Sequence, residues 1–312
     1  MTASTSKIIR LGARGSLLSK MQSTMVARQL EAACPGTRVE LVIVVTSGDR
    51  IQDRPLHELG GKGLFTKELE QALLRREIDF AVHSFKDVPV TMPLLDTADL
   101  VIAATPLRED PRDVVASVGG KKLADFKAGS RIGTGSLRRQ AQVLELRKDV
   151  IVEPIRGNVD TRLKKLKAGE YDGVILAMAG LKRAGLFDPA NMAAMNELLP
   201  AAGQGALALE CRRDDANLRQ LLRRLNDPAT AIAVRAERAL VQGLNGDCHS
   251  PIAAYAVVEG DRIILKAKVA ARGGLLPVIR AQSAALVEDA GLAVEDVLRQ
   301  LKSQGAMELL GT

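Results

Sequence analysis

The sequence has no tryptophan, two tyrosines and five phenylalanines among its 312 residues. A nucleic-acid surface that stacks bases on aromatic rings has little to build with, so that class is set aside despite a formal net charge of +7. Histidine is also scarce: His57, His83 and His249 are the full set, and no C-x-x-C spacing occurs, which disfavours a metal centre. The cysteines, Cys34, Cys211 and Cys248, are odd in number and far apart, which argues against a disulfide framework. No apolar run approaches the length of a membrane span. The opening residues MTASTSKIIRLGARGS mix charge and glycine where a secretory leader needs an unbroken apolar stretch, so a cytoplasmic location is expected.

What is present describes a globular chain. With 46% apolar and 26% charged residues it can bury a core, and its length exceeds what one core usually organises, so two or three domains are expected. Arginine dominates the basic residues, 28 against 16 lysines. Residues 131–183 hold twelve basic and six acidic side chains, nearly the whole positive excess. A planar guanidinium fork matches carboxylate or phosphate oxygens in pairs, so an anionic ligand is the first expectation.

Apolar and β-branched runs at 7–11, 39–45, 79–84, 101–104, 131–134, 150–155 and 173–176 read as strands. Helix-like segments separate many of them, one ending near Cys34 and Pro35, others at 136–148 and 159–168. Repeated β-α-β order implies mostly parallel sheets covered by helices. Beyond residue 225 the pattern changes to two long helix-like stretches around Pro228, a hairpin turning at Gly260 and Asp261, and a final helix at 290–301. In open α/β sheets the loops after the strands form the ligand crevice, and Arg14, Ser16, Lys86, Asp87, Thr134, Ser136 and Arg156 all fall in such loops.

The segment Gly133-Thr134-Gly135-Ser136-Leu137-Arg138-Arg139 follows a strand and opens a helix, where backbone N–H groups and the helix dipole favour an anion. It imitates a dinucleotide fingerprint, but Arg138 replaces the third glycine that close helix packing requires. A solvated helix start is the bland alternative, although two arginines in a first turn oppose the dipole and call for a compensating anion. Arg156 and Arg162 read as a carboxylate clamp, while Lys164, Lys165 and Lys167 read as a solvated helix face. Arg183, after Ala179 and Gly180, fits either description. Asp87, beside Lys86 in HSFKDVP, is either a turn cap or the one carboxylate able to steady positive charge in cationic surroundings. Cys248 lies in the polar loop NGDCHSP, unlike the buried setting of most free thiols, and is the thiol to watch; Cys34 and Cys211 read as small hydrophobes.

Together, RLGARGS, VTSGD, GGKGLFTKELE, AVHSFKDVP, IGTGSLRRQ, RGNVDTRL, ILAMAGLKR, LPAAGQGALALECR and GDCHSPIAAYA resemble the porphobilinogen deaminase family, in that family's order, from about Ile9 to Tyr255. The resemblance implies two solute-binding-protein-like α/β lobes with mixed, mostly parallel sheets, plus a small α+β C-terminal domain. The expected boundaries are 1–104 with a return segment at about 204–222, then 105–203, then 223–312. It further implies a dipyrromethane cofactor joined by thioether to Cys248, and condensation of four porphobilinogen molecules into hydroxymethylbilane with loss of ammonia. By the same motifs Asp87 is the catalytic carboxylate. Arg14, Ser16, Lys86, Thr134, Ser136, Arg138, Arg139, Arg156, Arg162 and Arg183, together with Gly180, would hold the carboxylates of cofactor and substrate. Ala13, Gly135 and Asp247 depart from the family's usual Thr, Ser and Gly, and a carboxylate at 247 is expected to raise a nearby thiol's pKa. A monomer that acts on a small molecule, with neither nucleic acid nor membrane as partner and without a metal, completes the expectation. The rival reading, a two-lobed anion-capturing protein without chemistry, leaves Cys248 and Asp87 unexplained.

Overall fold

A computed structural model describes residues 7–46, 66–90, 99–247 and 249–311. The chain divides into two compact units, one made of Met1–Arg108 with Ala206–Ala231 and the other of Glu109–Gly205 with Ile232–Thr312.

The first unit is built on a five-stranded sheet of order β2-β1-β3-β10-β4. Its strands are β1 (Lys7–Ala13), β2 (Thr37–Ile43), β3 (Phe80–Ser84), β4 (Leu100–Ala104) and β10 (Leu207–Arg212). Alternation along each strand explains the packing, since side chains two apart share a face. Ile9 and Leu11, Phe80 and Val82, and Leu207 and Leu209 bury one face against Val26 and Leu30 of the helix Leu17–Ala33. Ala81 faces the other way, into a cluster with Leu69 and Leu73 of the helix Lys67–Leu74 and with Ile78. The long helix starts where the Ser16 hydroxyl accepts the Ser19 N–H and stops at Cys34, because Pro35 cannot continue it. Strand β10 is antiparallel to both β3 and β4, so four strands run one way and one runs back.

The second unit repeats this plan with the order β7-β6-β8-β5-β9. Here the strands are β5 (Asp113–Ser117), β6 (Arg131–Gly133), β7 (Ile151–Glu153), β8 (Gly173–Ala177) and β9 (Met192–Met195), and β5 is the reversed one. Val114, Ala116, Val174 and Leu176 pack on one face with Leu166 of the helix Val159–Lys167. Val115, Ile132 and Ile175 pack on the other with Val143 of the helix Leu137–Leu146. The reversed strand in each sheet follows closely on the residue where the chain passes from one unit to the other, at 108 to 109 and at 205 to 206.

A separate antiparallel sheet, β11 (Ile252–Glu259), β12 (Arg262–Ala271) and β13 (Leu275–Leu286), completes the second unit with the helix Ala290–Ser303. The expected hairpin is present: Glu259 pairs with Arg262 across Gly260 and Asp261, with Gly260 at φ +63°. The helical reading around Pro228 needs correcting. A short helix, Ala216–Arg223, ends before it, and Pro228 is the first residue of a single helix, Pro228–Gly243, where its missing N–H costs nothing. Strands β5, β9, β10 and β13 and the helix Met178–Arg183 were not read from the sequence. Among the described residues no helix is long and apolar enough to cross a membrane.

Candidate active site

In the first unit the carboxyl ends of β1 and β3 carry the residues of interest. Arg14 follows β1, its N–H donating to Ser19 Oγ at 3.0 Å, while Ser16 caps the helix that begins next to it. Lys86 and Asp87 lie in a single 3-10 turn, Phe85–Asp87, directly after β3. Asp87 is exposed and Lys86 half-buried. Contacts from neighbouring elements hold this turn and the strand end before it. The Phe85 N–H donates to the Ala206 carbonyl at 3.0 Å, Gln22 Nε2 donates to Ser84 Oγ at 3.1 Å, and His83 Nε2 meets Glu210 Oε2 at 3.0 Å with both side chains buried. Gln22 and Glu210 escaped the sequence reading, because each meets its partner only through the neighbouring element.

In the second unit four loops converge on one edge of the sheet. Thr134 and Ser136 follow β6, Arg156 and Arg162 follow β7, and Gly180 and Arg183 follow β8. The fourth is the entry to β5: being reversed, this strand places its first residue, Asp113, opposite Ala177 and Met195, the last residues of β8 and β9. Thr134 Oγ1 accepts the Ser136 N–H at 3.2 Å, and Ser136 Oγ accepts the Arg139 N–H at 3.5 Å. Each hydroxyl thus caps through its oxygen and keeps its O–H as a donor. Arg162 Nε donates to the Gly157 carbonyl at 2.8 Å, which anchors it to the loop that bears Arg156. Arg183 Nη2 donates to the Gly205 carbonyl at 2.7 Å. Burial pushes the Arg183 guanidinium down to about 10, opposed by Glu109, so it stays protonated at neutral pH.

Arg138 and Arg139 are not at the surface. They are 4% and 5% exposed and share the fully buried Asp113. Arg139 Nε and Nη2 bond Asp113 Oδ1 at 3.1 and 2.8 Å, and its Nη1 donates to the Ile175 carbonyl. Arg138 Nη1 lies 2.8 Å from Asp113 Oδ2 and 2.6 Å from the Leu199 carbonyl. Burial alone would raise the Asp113 carboxyl, but the two guanidinium groups outweigh it and hold the group well below the ordinary carboxylate range. The compensating anion that the sequence called for is therefore within the chain, at a position the sequence reading passed over.

Cys248 lies outside the described residues, as do most of the VTSGD and GGKGLF strings. Around Cys248, Asp247 Oδ1 accepts from the His249 N–H, the Ser250 N–H and the Ser250 hydroxyl, each at 2.9 Å. That carboxylate is committed to shaping its own loop. Among the described residues no group of histidine, cysteine and acidic side chains forms a metal site. Cys211 is buried, and burial pushes its thiol up to about 12, in keeping with a small hydrophobe.

The fold describes an α/β protein, and each of its two five-stranded sheets carries arginine and hydroxyl side chains just beyond its strand ends. Comparison with known proteins narrows the class. Residues 9–220 match the family model of the porphobilinogen deaminase dipyrromethane cofactor-binding domain, and residues 231–303 match that of the porphobilinogen deaminase C-terminal domain, so the likeness reaches beyond Tyr255. Porphobilinogen deaminase of Syntrophobacter fumaroxidans is 46% identical over 98% of this chain and 98% of its own. That of Sorangium cellulosum is 49% identical over 85% of this chain and 88% of its own. Among solved structures, the periplasmic VFT2 domain of Bordetella pertussis BvgS aligns at TM-score 0.40 and 14% identity, over 70% of this chain and 86% of that one. The chain belongs to the porphobilinogen deaminase family.

Proposed function

We propose that the chain condenses four porphobilinogen molecules into the linear tetrapyrrole hydroxymethylbilane, releasing ammonia, on a dipyrromethane held by thioether to Cys248. The carrying observation is the sheet edge of the second unit, where Thr134 and Ser136 accept through their oxygens and keep their O–H groups as donors, and Arg162 and Arg183 are anchored to backbone carbonyls. That donor set suits a ligand with an acetate and a propionate on every ring, as does the positive excess of 131–183. When bound, the dipyrromethane supplies the pyrrole α-carbon that takes the next unit.

The chain's own groups do the rest. Arg14 and Ser16, with Lys86, bind carboxylates at the first sheet, and the second sheet's residues, Gly180 among them by its place beside Arg183, hold those of the primer. Asp87, at the end of a pinned turn, steadies the positive charge that develops when ammonia leaves porphobilinogen and accepts the proton given up when the new carbon–carbon bond is complete. At about 4 Å and an effective dielectric near 20 such a pair is worth on the order of 4 kcal/mol, enough to matter to a barrier. The division into 1–104 with 204–222, 105–203 and 223–312 belongs to this reading, supported by the three separate sheets. So do a cytoplasmic location, a monomeric state and the absence of a nucleic-acid partner.

Intact-mass measurement tests the core of the proposal. The purified chain is expected to exceed its sequence mass by one dipyrromethane unit, carried on the peptide that contains Cys248 and missing from Cys248→Ser. A fully active chain at its bare sequence mass rejects it.

A further inference from the structure

We propose that Asp113 is a positioning residue for carboxylate binding: it is the internal counter-ion that holds Arg138 and Arg139 at the start of the helix Leu137–Leu146 and reduces that helix start from two net positive charges to one. The proposal rests on the reading that this helix start faces the carboxylates of the primer.

The geometry divides the labour between the two arginines. Arg139 turns Nε and Nη2 onto Asp113 and Nη1 onto the Ile175 carbonyl, so it orients Asp113. Arg138 shares Nη1 between Asp113 and the Leu199 carbonyl, and its buried Nε donates to no acceptor among the described residues. Gln204 Nε2 closes the arrangement with bonds to Asp113 Oδ1 at 2.8 Å and to the Pro111 carbonyl at 2.6 Å. Asp113 Oδ1 therefore takes hydrogen bonds from both Arg139 and Gln204.

Two buried guanidinium groups side by side are unfavourable unless a carboxylate compensates them, and removing one partner of such a cluster leaves uncompensated charge in a low-dielectric interior. Asp113 supplies one negative charge for two positive ones. The remaining positive charge is what this helix start offers a ligand carboxylate, beside the O–H donors of Thr134 and Ser136. A ligand carboxylate and Asp113 are thus coupled through the same pair of arginines.

The test is Asp113→Asn, which keeps the side chain's shape and removes its charge. Melting temperature is measured for the full chain carrying the primer and for the same chain with Cys248→Ser, which has none, with intact mass verifying both states. Asp113→Asn is expected to widen the difference between primed and unprimed protein by about 5 °C or more, because the primer's carboxylates then become the only counter-charge. An equal drop in both states makes Asp113 a purely structural acid and overturns the proposal. If the unprimed Asp113→Asn chain does not fold, Asp113→Asn combined with Arg139→Gln, which removes one charge of each sign, is expected to restore its melting; no recovery overturns the proposal. If the parent itself melts alike with and without primer, the underlying reading of the site fails, and the proposal with it.

Discussion

Asp87 and Asp113 are both carboxylates, and their surroundings set them to different work. Asp87 stands exposed at the end of a short turn, whereas Asp113 is fully buried, its Oδ1 taking hydrogen bonds from Arg139 and Gln204. On the proposed function, removing the charge of Asp87 is therefore expected to act on the reaction and not on the fold. Asp87→Asn is expected to retain the primer by intact mass and to lower kcat by about 10²–10³-fold, the range for loss of one pre-set group facing developing charge. Steady-state rates on porphobilinogen check it, and a near-normal kcat would mean that another group carries the role.

At the scale of elements, the two reversed strands matter most. Strand β5 delivers Asp113 to the ends of β8 and β9, and the residues leading into β10 fasten the turn that bears Asp87, through the Ala206 carbonyl. The segment before β10 depends on Gly205, which sits at φ +88° and whose carbonyl accepts from both Glu109 N–H and Arg183 Nη2. A Cβ there would lie 2.3 Å from the Glu109 carbonyl oxygen, a backbone atom that cannot swing away. Gly205→Ala combines positive-φ strain with that clash and is expected to cost about 2 kcal/mol or more in urea unfolding. It should also raise KM more than it lowers kcat, since Arg183 loses its anchor while Asp87 does not.

For the molecule as a whole, buried and paired carboxylates dictate the response to acid. Asp113 and Asp79 are both held below their ordinary range: burial acts against them, but Arg138 and Arg139 outweigh it at Asp113, and Arg10 with Arg212 at Asp79. A carboxylate whose pKa is lower in the folded chain contributes stability that is complete above its unfolded pKa, about 4, and that is lost as pH falls towards the folded value. The urea midpoint is therefore expected to stay level between about pH 5 and 8 and to decline below about 4. Asp113→Asn should flatten part of that decline, and an unchanged acid limb in this variant would show that Asp113 does not contribute to it.

The sequence by itself determined the elements whose partners are close along the chain. The β-α-β order, the hairpin at Gly260 and the helix that opens near Ser136 are all legible, because apolar period and turn chemistry are local properties. It also placed Thr134, Ser136, Arg138 and Arg139 together, since they fall in one continuous string after a strand. Only the tertiary structure decided that Arg138 and Arg139 are buried on Asp113, 25 and 26 residues away at the start of a strand that was not read from the sequence. Only it decided that His83 meets Glu210, 127 residues along, or that β5 and β10 run backwards. Periodicity tells which face of a strand is buried and is silent about which strand lies beside it. The neighbour is chosen by the packing of the whole sheet.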